Sequence, residues 1–181
     1  MNNSNHSNIL IIGGGCAGIS VATRLKSLKS DLSISIIEPS EKSLYQAAWT
    51  LVGAGAYDVN STIKPMSSVM PNYVNWIKEY AESFSPESNS VKTSSGEYSY
   101  DYLVVCPGLK INFDGVAGLK ETLGKNNVCT NYSAEMAVYT WECLKNLNGG
   151  TLLFTEPPMP IKCAGAPQKI AYLAADHMKK K

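Results

Sequence analysis

The chain has 181 residues, 44% of which are hydrophobic, and it carries a formal net charge of +1. This balance is typical of a folded globular protein and argues against a nucleic-acid-binding protein or a disordered tail. No apolar run approaches the ~20 residues of a membrane-spanning helix, and the polar residues 1–6 resemble neither a signal peptide nor a transit peptide.

The first predicted elements are a strand over residues 8–12, a glycine-rich turn and a helix over residues 16–29. The turn, residues 13–18, has the G-x-G-x-x-G spacing that cradles the pyrophosphate of a dinucleotide. Gly13 permits the tight turn, Gly15 lets the backbone approach the phosphates, and Gly18 lets the helix pack close to the strand. The first amide groups of the helix then face the anion, with the positive end of the helix dipole behind them.

A second predicted strand, residues 33–37, ends in Glu38, about 20 residues after the glycine motif. An acidic residue at this distance binds the ribose hydroxyls in dinucleotide-binding units. The alternative is a glycine-rich turn with an incidental acid, but here strand, turn, helix, strand and acid occur in the expected order. We therefore expect the chain to bind an adenine dinucleotide.

A series of short elements completes the first half of the chain. They are a segment rich in aromatic and small residues (44–57), an amphipathic piece (63–70), a strand (74–81) and two antiparallel strands (90–93 and 97–105). The last strand leads into Gly108 and should lie beside the first strand, at the ligand crevice. The sequence thus predicts an α/β fold, with a Rossmann-like domain over residues 1–112 whose parallel sheet carries a small antiparallel β insertion.

The second half of the chain predicts the start of a second Rossmann-like unit. Its elements are a loop (109–118), a helix capped by Ser133 (133–147), a strand (151–154), a proline-rich loop (155–162) and a final helix that opens at residues 163–167 and runs to residue 178. Strand, loop and helix repeat the order of the first unit, but no second strand follows. We assign residues 113–181 to this incomplete domain.

The turn before the final helix lacks the glycine motif that would hold a nicotinamide dinucleotide. A pyrophosphate would meet the Cys163 side chain and the ring of Pro167, which has no N–H group, so NAD(P)H is not the expected electron donor. The helix start and the neighbouring Lys162 both favour the reactive thiolate form of Cys163. The alternative is that Cys163 is an inert small core residue.

Residues 162–169, Lys-Cys-Ala-Gly-Ala-Pro-Gln-Lys, resemble the active-cysteine loop of sulfide:quinone oxidoreductases, in the branch shared by bacteria and mitochondria. Residues 45–56 and 131–133 are similar to further segments of this family, which is part of the FAD-dependent pyridine nucleotide-disulfide oxidoreductase superfamily. Ala47 stands where relatives usually have proline, which should affect loop stiffness rather than chemistry. Family members are much longer, so the chain resembles their N-terminal portion.

The resemblance implies that the first domain binds FAD. The implied FAD contacts are Gly13, Gly15, Cys16, Ala17, Gly18, Glu38, Gln46, Ala81 and Gly108. In this set Cys16 and Ala17 contact the pyrophosphate, Glu38 the ribose, and the Ala81 backbone the adenine.

The resemblance also implies a reaction. Cys163 works with a second cysteine as a disulfide or persulfide relay that oxidises sulfide to persulfide or sulfane sulfur, and FAD passes the electrons to a membrane quinone. A small-molecule acceptor takes the sulfur. The second cysteine, the quinone pocket and the peripheral membrane contact are expected in the absent C-terminal half. The expected location is the cytoplasm or the surface of the bacterial inner membrane.

The remaining thiols have less to suggest a function. The cysteines of the chain are Cys16, Cys106, Cys129, Cys143 and Cys163. Their spacing contains no C-x-x-C pair or zinc pattern, and with only two histidines we expect no metal site and free thiols in a reducing compartment. We expect Cys106 and Cys143 to pack as small residues and Cys16 to act through its backbone. The resemblance leaves Cys129 as a possible accessory redox cysteine.

Two other functions remain open at this point. The chain could be an FAD-binding module without turnover, or it could belong to a related flavoenzyme such as an NADH:quinone oxidoreductase or a flavocytochrome sulfide dehydrogenase. The Cys163 loop argues against the NADH-linked enzyme, and the lack of a secretory signal argues against the flavocytochrome.

Overall fold

The computed structural model describes residues 5–181, so residues 1–4 of the polar N-terminal segment lie outside the described part. The strands are β1 (His6–Ile12), β2 (Ile34–Ile37), β3 (Lys42–Leu44), β4 (Ile63–Pro65), β5 (Val74–Ile77), β6 (Ser83–Ser85), β7 (Ser90–Lys92) and β8 (Glu97–Val105). The helices are α1 (Cys16–Leu28), α2 (Trp49–Gly53), α3 (Leu119–Thr122), α4 (Ala134–Asn146) and α5 (Gly165–Lys180). Among these helices, none is long and apolar enough to cross a membrane.

A six-stranded sheet with the order β5-β2-β1-β8-β7-β6 forms the centre of the first half, and β3 and β4 form a separate two-stranded sheet. Strand β1 pairs in parallel with β2 and β8, and β2 pairs in parallel with β5. Strands β6, β7 and β8 are antiparallel. The predicted α/β fold, with a Rossmann-like parallel sheet and a small antiparallel insertion, is confirmed, as is the position of the last strand beside the first.

Strand β1 is central because it is apolar on both faces. Ile9 and Ile11 pack on one face with Ala22 of α1, whereas Leu10 and Ile12 belong to the cluster on the other face. The side chains of Leu10 and Ile11 are 0% exposed. Burial of each such aliphatic side chain is worth roughly 1.5–3 kcal/mol, so the strand that carries the glycine motif is firmly anchored.

The chain divides into two compact units. Of the described residues, the first unit comprises 5–44 and Lys64–Gly108, and the second comprises Tyr45–Ile63 and Leu109–Lys181. The second unit is built on α2, α4 and α5, with Trp49, Val52 and Ala137 in one buried cluster. The predicted domain boundary after residue 112 remains a prediction. Residues 45–63 pack as part of the second unit, although they precede residue 112 in the sequence.

The predicted strand over residues 151–154 is wrong. Residues 151–158 form neither helix nor strand, and the Leu153 side chain is 84% exposed. A strand needs a neighbour that pairs with its backbone N–H and C=O groups, and within residues 5–181 every strand belongs to one of the two sheets above. The final helix begins at Gly165 rather than at Cys163 and ends at Lys180.

Candidate functional site

In the first unit, predicted cofactor contacts follow the carboxyl ends of neighbouring parallel strands. Gly13 follows β1, Glu38 follows β2, Ala81 lies beyond β5, and Gly108 lies beyond β8. Parallel strands present their carboxyl ends at one edge of the sheet, which is where open α/β sheets bind their ligands. The fold therefore brings these predicted residues to the expected edge.

Two glycines of the motif are required by the backbone itself. Gly13 has a φ of +98°, and a Cβ atom there would lie 2.1 Å from the carbonyl oxygen of Cys106. A Cβ atom on Gly18 would lie 1.9 Å from the carbonyl oxygen of Gly13. Any larger residue at either position would collide with main chain, so both glycines allow the turn and the close approach of α1 to β1.

Gly15 is different, because a Cβ atom there would meet nothing within 4 Å. It occupies the N-cap position of α1 but has no side chain that could form a capping hydrogen bond, and the first turn of the helix contains no acidic residue. Gly15, Cys16 and Ala17 are all exposed. A helix start that is open, uncapped and free of carboxylates suits a phosphate group, so this turn fits the pyrophosphate of FAD.

Glu38 is fixed by two backbone groups. The Gly14 N–H donates to its Oε2 atom at 2.8 Å, and the Ser40 N–H donates to its Oε1 atom at 2.7 Å. Each carboxylate oxygen has a further lone pair, so the side chain can still accept bonds from ribose hydroxyls. Glu38 thus ties the end of β2 to the glycine turn, a role that its spacing alone did not predict.

Two predicted FAD contacts have less distinctive surroundings. Ala81 is half-buried and packs against the core cluster that contains Ile12 and Ile77. Gln46 lies in a short 3-10 turn, Gln46–Ala48, with its side chain exposed. Gln46 belongs to the second compact unit, and its role in FAD binding remains a prediction.

In the second unit, the Cys163 thiol is exposed and lies just before Ala164, the residue that caps α5. The Cys163 carbonyl oxygen accepts bonds from the Tyr132 hydroxyl at 3.0 Å and from the Ala166 N–H at 3.2 Å. The backbone of Cys163 is therefore held in place, while its sulfur is accessible to a reagent.

Lys162 lies against two aromatic rings. Its Nζ atom is 5.4 Å from the centre of the Trp49 ring and 5.9 Å from the centre of the Tyr132 ring. Burial lowers the pKa of Lys162, and the Cys163 thiolate opposes this shift. Burial also raises the pKa of Tyr132, with smaller contributions in the same direction from Cys163 and Glu156.

Trp49 and Tyr132 had no predicted role, although each lies in a segment that resembles the sulfide:quinone oxidoreductases. Their distance from Cys163 in sequence hid their proximity to the Cys163 loop. The sequence contained one indication that these residues lie near Cys163, because residues 45–56 and 131–133 resemble the same family as residues 162–169.

Cys16 is exposed like Cys163, whereas Cys106, Cys129 and Cys143 are half-buried. Burial raises the pKa of Cys129 from 9.0 to about 12, with a further contribution from the adjacent Cys143 thiol. The Cys129 Sγ atom also donates to the Asn127 carbonyl oxygen at 3.5 Å. These contacts favour the protonated thiol, and an accessory catalytic role for Cys129 remains a prediction. Cys106, at the end of β8, and Cys143, on α4, are half-buried.

Within residues 5–181, no group of three or more histidine, cysteine, aspartate or glutamate side chains is placed to hold a metal ion.

Comparison with known proteins identifies the family. A family model described as pyridine nucleotide-disulphide oxidoreductase matches residues 7–137. The chain belongs to this family.

The most informative relatives are sulfide:quinone oxidoreductases. The chain is 40% identical to the mitochondrial enzyme of Mus musculus over 177 residues and 45% identical to that of Dictyostelium discoideum over 179 residues. Each match covers 97% of the chain but only 39% and 40% of the relatives.

A solved structure agrees with the sequence comparisons. The sulfide:quinone oxidoreductase of Aquifex aeolicus aligns with a TM-score of 0.73 and 28% identity, over 98% of the chain and 40% of that structure. The chain is thus a homologue of the N-terminal portion of sulfide:quinone oxidoreductases, and it spans about two fifths of their length. The predicted resemblance is confirmed.

Proposed function

We propose that this chain is the FAD-binding and sulfide-reacting portion of a sulfide:quinone oxidoreductase. The observation that carries the proposal is the exposed Cys163 thiol, fixed through its backbone at the start of α5. In an NADH-dependent relative, a glycine turn for the nicotinamide dinucleotide would be expected at this point of the second unit. Here an exposed thiol occurs instead, in a chain whose first glycine turn is intact.

The residues of the first unit fit FAD. Gly15 and the uncapped start of α1 would take the pyrophosphate, with Cys16 and Ala17 contributing backbone groups. Glu38 would take the ribose, Ala81 the adenine, and Gly108 would complete the site at the end of β8. Gln46 remains a predicted further contact to the flavin nucleotide.

Cys163 would form one half of a disulfide with a cysteine in the remainder of the protein. Hydrosulfide attacks this disulfide, so one S–S bond breaks and another forms, leaving a persulfide on one cysteine and a thiolate on the other. The sulfide sulfur is oxidised to the sulfane level, and the cysteine pair gains two electrons. The outer persulfide sulfur would leave to a small-molecule acceptor, and the two cysteine thiolates would then close their disulfide again and release the two electrons. FAD would supply the chemistry that carries this electron pair on to a membrane quinone.

The test combines FAD binding with sulfide-dependent reduction. The chain, joined to the C-terminal portion of a matched sulfide:quinone oxidoreductase that supplies the second cysteine and the quinone pocket, is purified and titrated with FAD. Bound flavin is then exposed to sulfide, with quinone reduction followed by absorbance. We expect saturable FAD binding, flavin bleaching by sulfide, and loss of bleaching but not of binding in Cys163→Ser. Cys106→Ser is the matched control and should behave like the unmodified chain. Protein that takes up no FAD, or flavin that bleaches with NADH instead of sulfide, contradicts the proposal.

A second candidate is an FAD-binding module without turnover. It is favoured by the finding that all five cysteines are free within residues 5–181, so Cys163 has no disulfide partner there. FAD binding with no bleaching by sulfide would support this second function.

A further inference from the structure

The environment of Lys162 is unusual for a lysine next to an exposed thiol. Its ammonium group is half-buried and lies over the rings of Trp49 and Tyr132, at 5.4 and 5.9 Å from their centres. Aromatic faces attract cations within about 6 Å. The two rings thus hold the positive charge at a defined place, where a free lysine side chain would sample many positions.

The rings themselves are fixed. Trp49 is only 4% exposed, and its Nε1–H donates to the Thr62 hydroxyl at 3.2 Å. Thr62 in turn donates to the Val59 carbonyl oxygen at 2.6 Å. The Tyr132 hydroxyl donates to the Cys163 carbonyl oxygen at 3.0 Å. Tyr132 therefore contacts Lys162 through its ring and Cys163 through its hydroxyl, which couples the position of the charge to that of the thiol loop.

Among the ion pairs formed within residues 5–181, none joins Lys162 to a carboxylate. The ionisable groups that act on Lys162 and on the ring beneath it are the Cys163 thiol and, through Tyr132, the Glu156 carboxylate. The cation is therefore available to an anion that approaches the exposed sulfur.

We propose that Lys162, clamped by Trp49 and Tyr132, selects anionic reagents for Cys163 and so favours hydrosulfide and other anionic sulfur species over neutral thiols. The proposal deepens the proposed function, on which its substrate class rests. Lys162 acts on the approaching anion, whereas Trp49 and Tyr132 are positioning residues that act through Lys162. The charge effect itself requires neither FAD nor the remainder of the protein.

The test measures how Cys163 discriminates between an anionic and a neutral reagent of the same chemistry. Rates of alkylation by iodoacetate and iodoacetamide are measured at low salt on the purified chain, by mass spectrometry of the Cys163 peptide. The quantity of interest is the ratio of the two rates, because it cancels changes in the amount of thiolate. We expect Lys162→Met to lower this ratio on the order of fivefold, as expected for a partly exposed charge interaction.

Matched variants separate the local charge from net charge and from structure. Lys162→Arg should keep the ratio, because a guanidinium group also stacks on aromatic rings. Lys179→Met removes the same charge from the far end of α5 and should leave the ratio unchanged. Tyr132→Phe and Tyr132→Leu both remove the hydroxyl, but only phenylalanine keeps an aromatic ring beneath the Lys162 ammonium group. Only the leucine variant should therefore lower the ratio.

The ionic-strength dependence of the unmodified chain provides a test that needs no variant. Raising the salt from about 0.01 M to about 1 M shortens the Debye length from about 30 Å to about 3 Å, so the ratio should fall. A ratio that is flat with salt, or that is unchanged in Lys162→Met, overturns the proposal. Equal slowing of both reagents in Lys162→Met also overturns it, because that result indicates thiolate stabilisation without selection. A protein that binds no FAD, or whose flavin is not bleached by sulfide, would instead contradict the proposed function, and the ratio of the two alkylation rates would be unaffected.

Discussion

Gly15 and Gly18 occupy the same turn but require glycine for different reasons. At Gly18 the constraint is internal, because a Cβ atom would lie 1.9 Å from the Gly13 carbonyl oxygen. At Gly15 the space is open, so any constraint comes from a ligand. Both roles were predictable from the motif, because its glycines follow from backbone geometry. The bonds from Gly14 and Ser40 to Glu38 were not, because they depend on how β2 lies against the turn in three dimensions.

This contrast predicts opposite phenotypes for two alanine variants. Gly18→Ala should lower the free energy of unfolding by about 1–3 kcal/mol, since its methyl group meets a backbone atom that cannot move aside. Gly15→Ala should change that free energy by less than about 0.5 kcal/mol but weaken FAD binding on the order of tenfold, because the methyl group occupies the phosphate approach. Urea unfolding and FAD titration measure the two effects. A stable Gly18→Ala variant, or Gly15→Ala with normal FAD affinity, would contradict this assignment.

Because of the Cys129 thiol, we expect the free energy of unfolding to fall as the pH rises above 9. Its pKa rises from 9.0 to about 12 on folding, so above pH 9 the unfolded chain loses a proton that the folded protein retains. Stability contributed by this group is complete below pH 9 and is lost as the pH rises toward 12. We expect Cys129→Ser to lose less stability than the unmodified chain between pH 8.5 and pH 11, as judged by urea midpoints. Cys16→Ser, at an exposed site, is the control and should follow the unmodified chain.

At the scale of elements, the parallel strands β1, β2, β5 and β8 were predictable because their apolar runs match the burial of a parallel sheet, although β5 ends at Ile77 rather than at residue 81. The three-residue strands β3, β4 and β6 were not predicted as strands. Residues 8–12 are almost entirely aliphatic and became the centre of β1. The failure at residues 151–154 has the opposite cause. The Thr-Leu-Leu-Phe sequence of residues 151–154 favours a strand by its residue types. A strand also needs a neighbouring strand to pair with, and the local sequence carries no information about whether one is present.

Hydrogen exchange should reveal this difference directly. Amides of residues 151–158 lack a strand partner and should exchange rapidly, close to the rate of an unstructured peptide. The amides of Leu10 and Ile11, in a strand paired on both sides, should be among the slowest. Exchange followed by mass spectrometry distinguishes the segments. Strong protection of residues 151–158 would indicate that a strand forms there after all.

At the scale of the whole molecule, the division into units was the least predictable feature. A boundary near residue 112 follows from the order of elements, because a loop separates two apparent βαβ beginnings. The contribution of residues 45–63 to the second unit is tertiary, since Trp49 and Val52 bury their side chains against Ala137. Composition and periodicity carry no information about that packing.

A fragment of residues 113–181 should therefore fail to fold by itself. Without Trp49 and Val52, the cluster around Ala137 loses its largest side chains, and removing a buried aromatic residue alone costs about 3–5 kcal/mol. We expect circular dichroism of this fragment to show little helix, and addition of a peptide spanning residues 45–63 should restore part of it. A cooperative thermal transition in the isolated fragment would show that α4 and α5 need no partner from the first half.

The split origin of the second unit also restricts how such a protein can be altered by evolution. A single genetic crossover between relatives near residue 112 would join α4 from one parent to the Trp49 segment of another, and the two surfaces would have to match. To exchange the second unit, which carries Cys163, without loss of packing, two breakpoints are needed, one on either side of residues 45–63, and a third near residue 108. Residues 45–63 and 109–181 should consequently be inherited together.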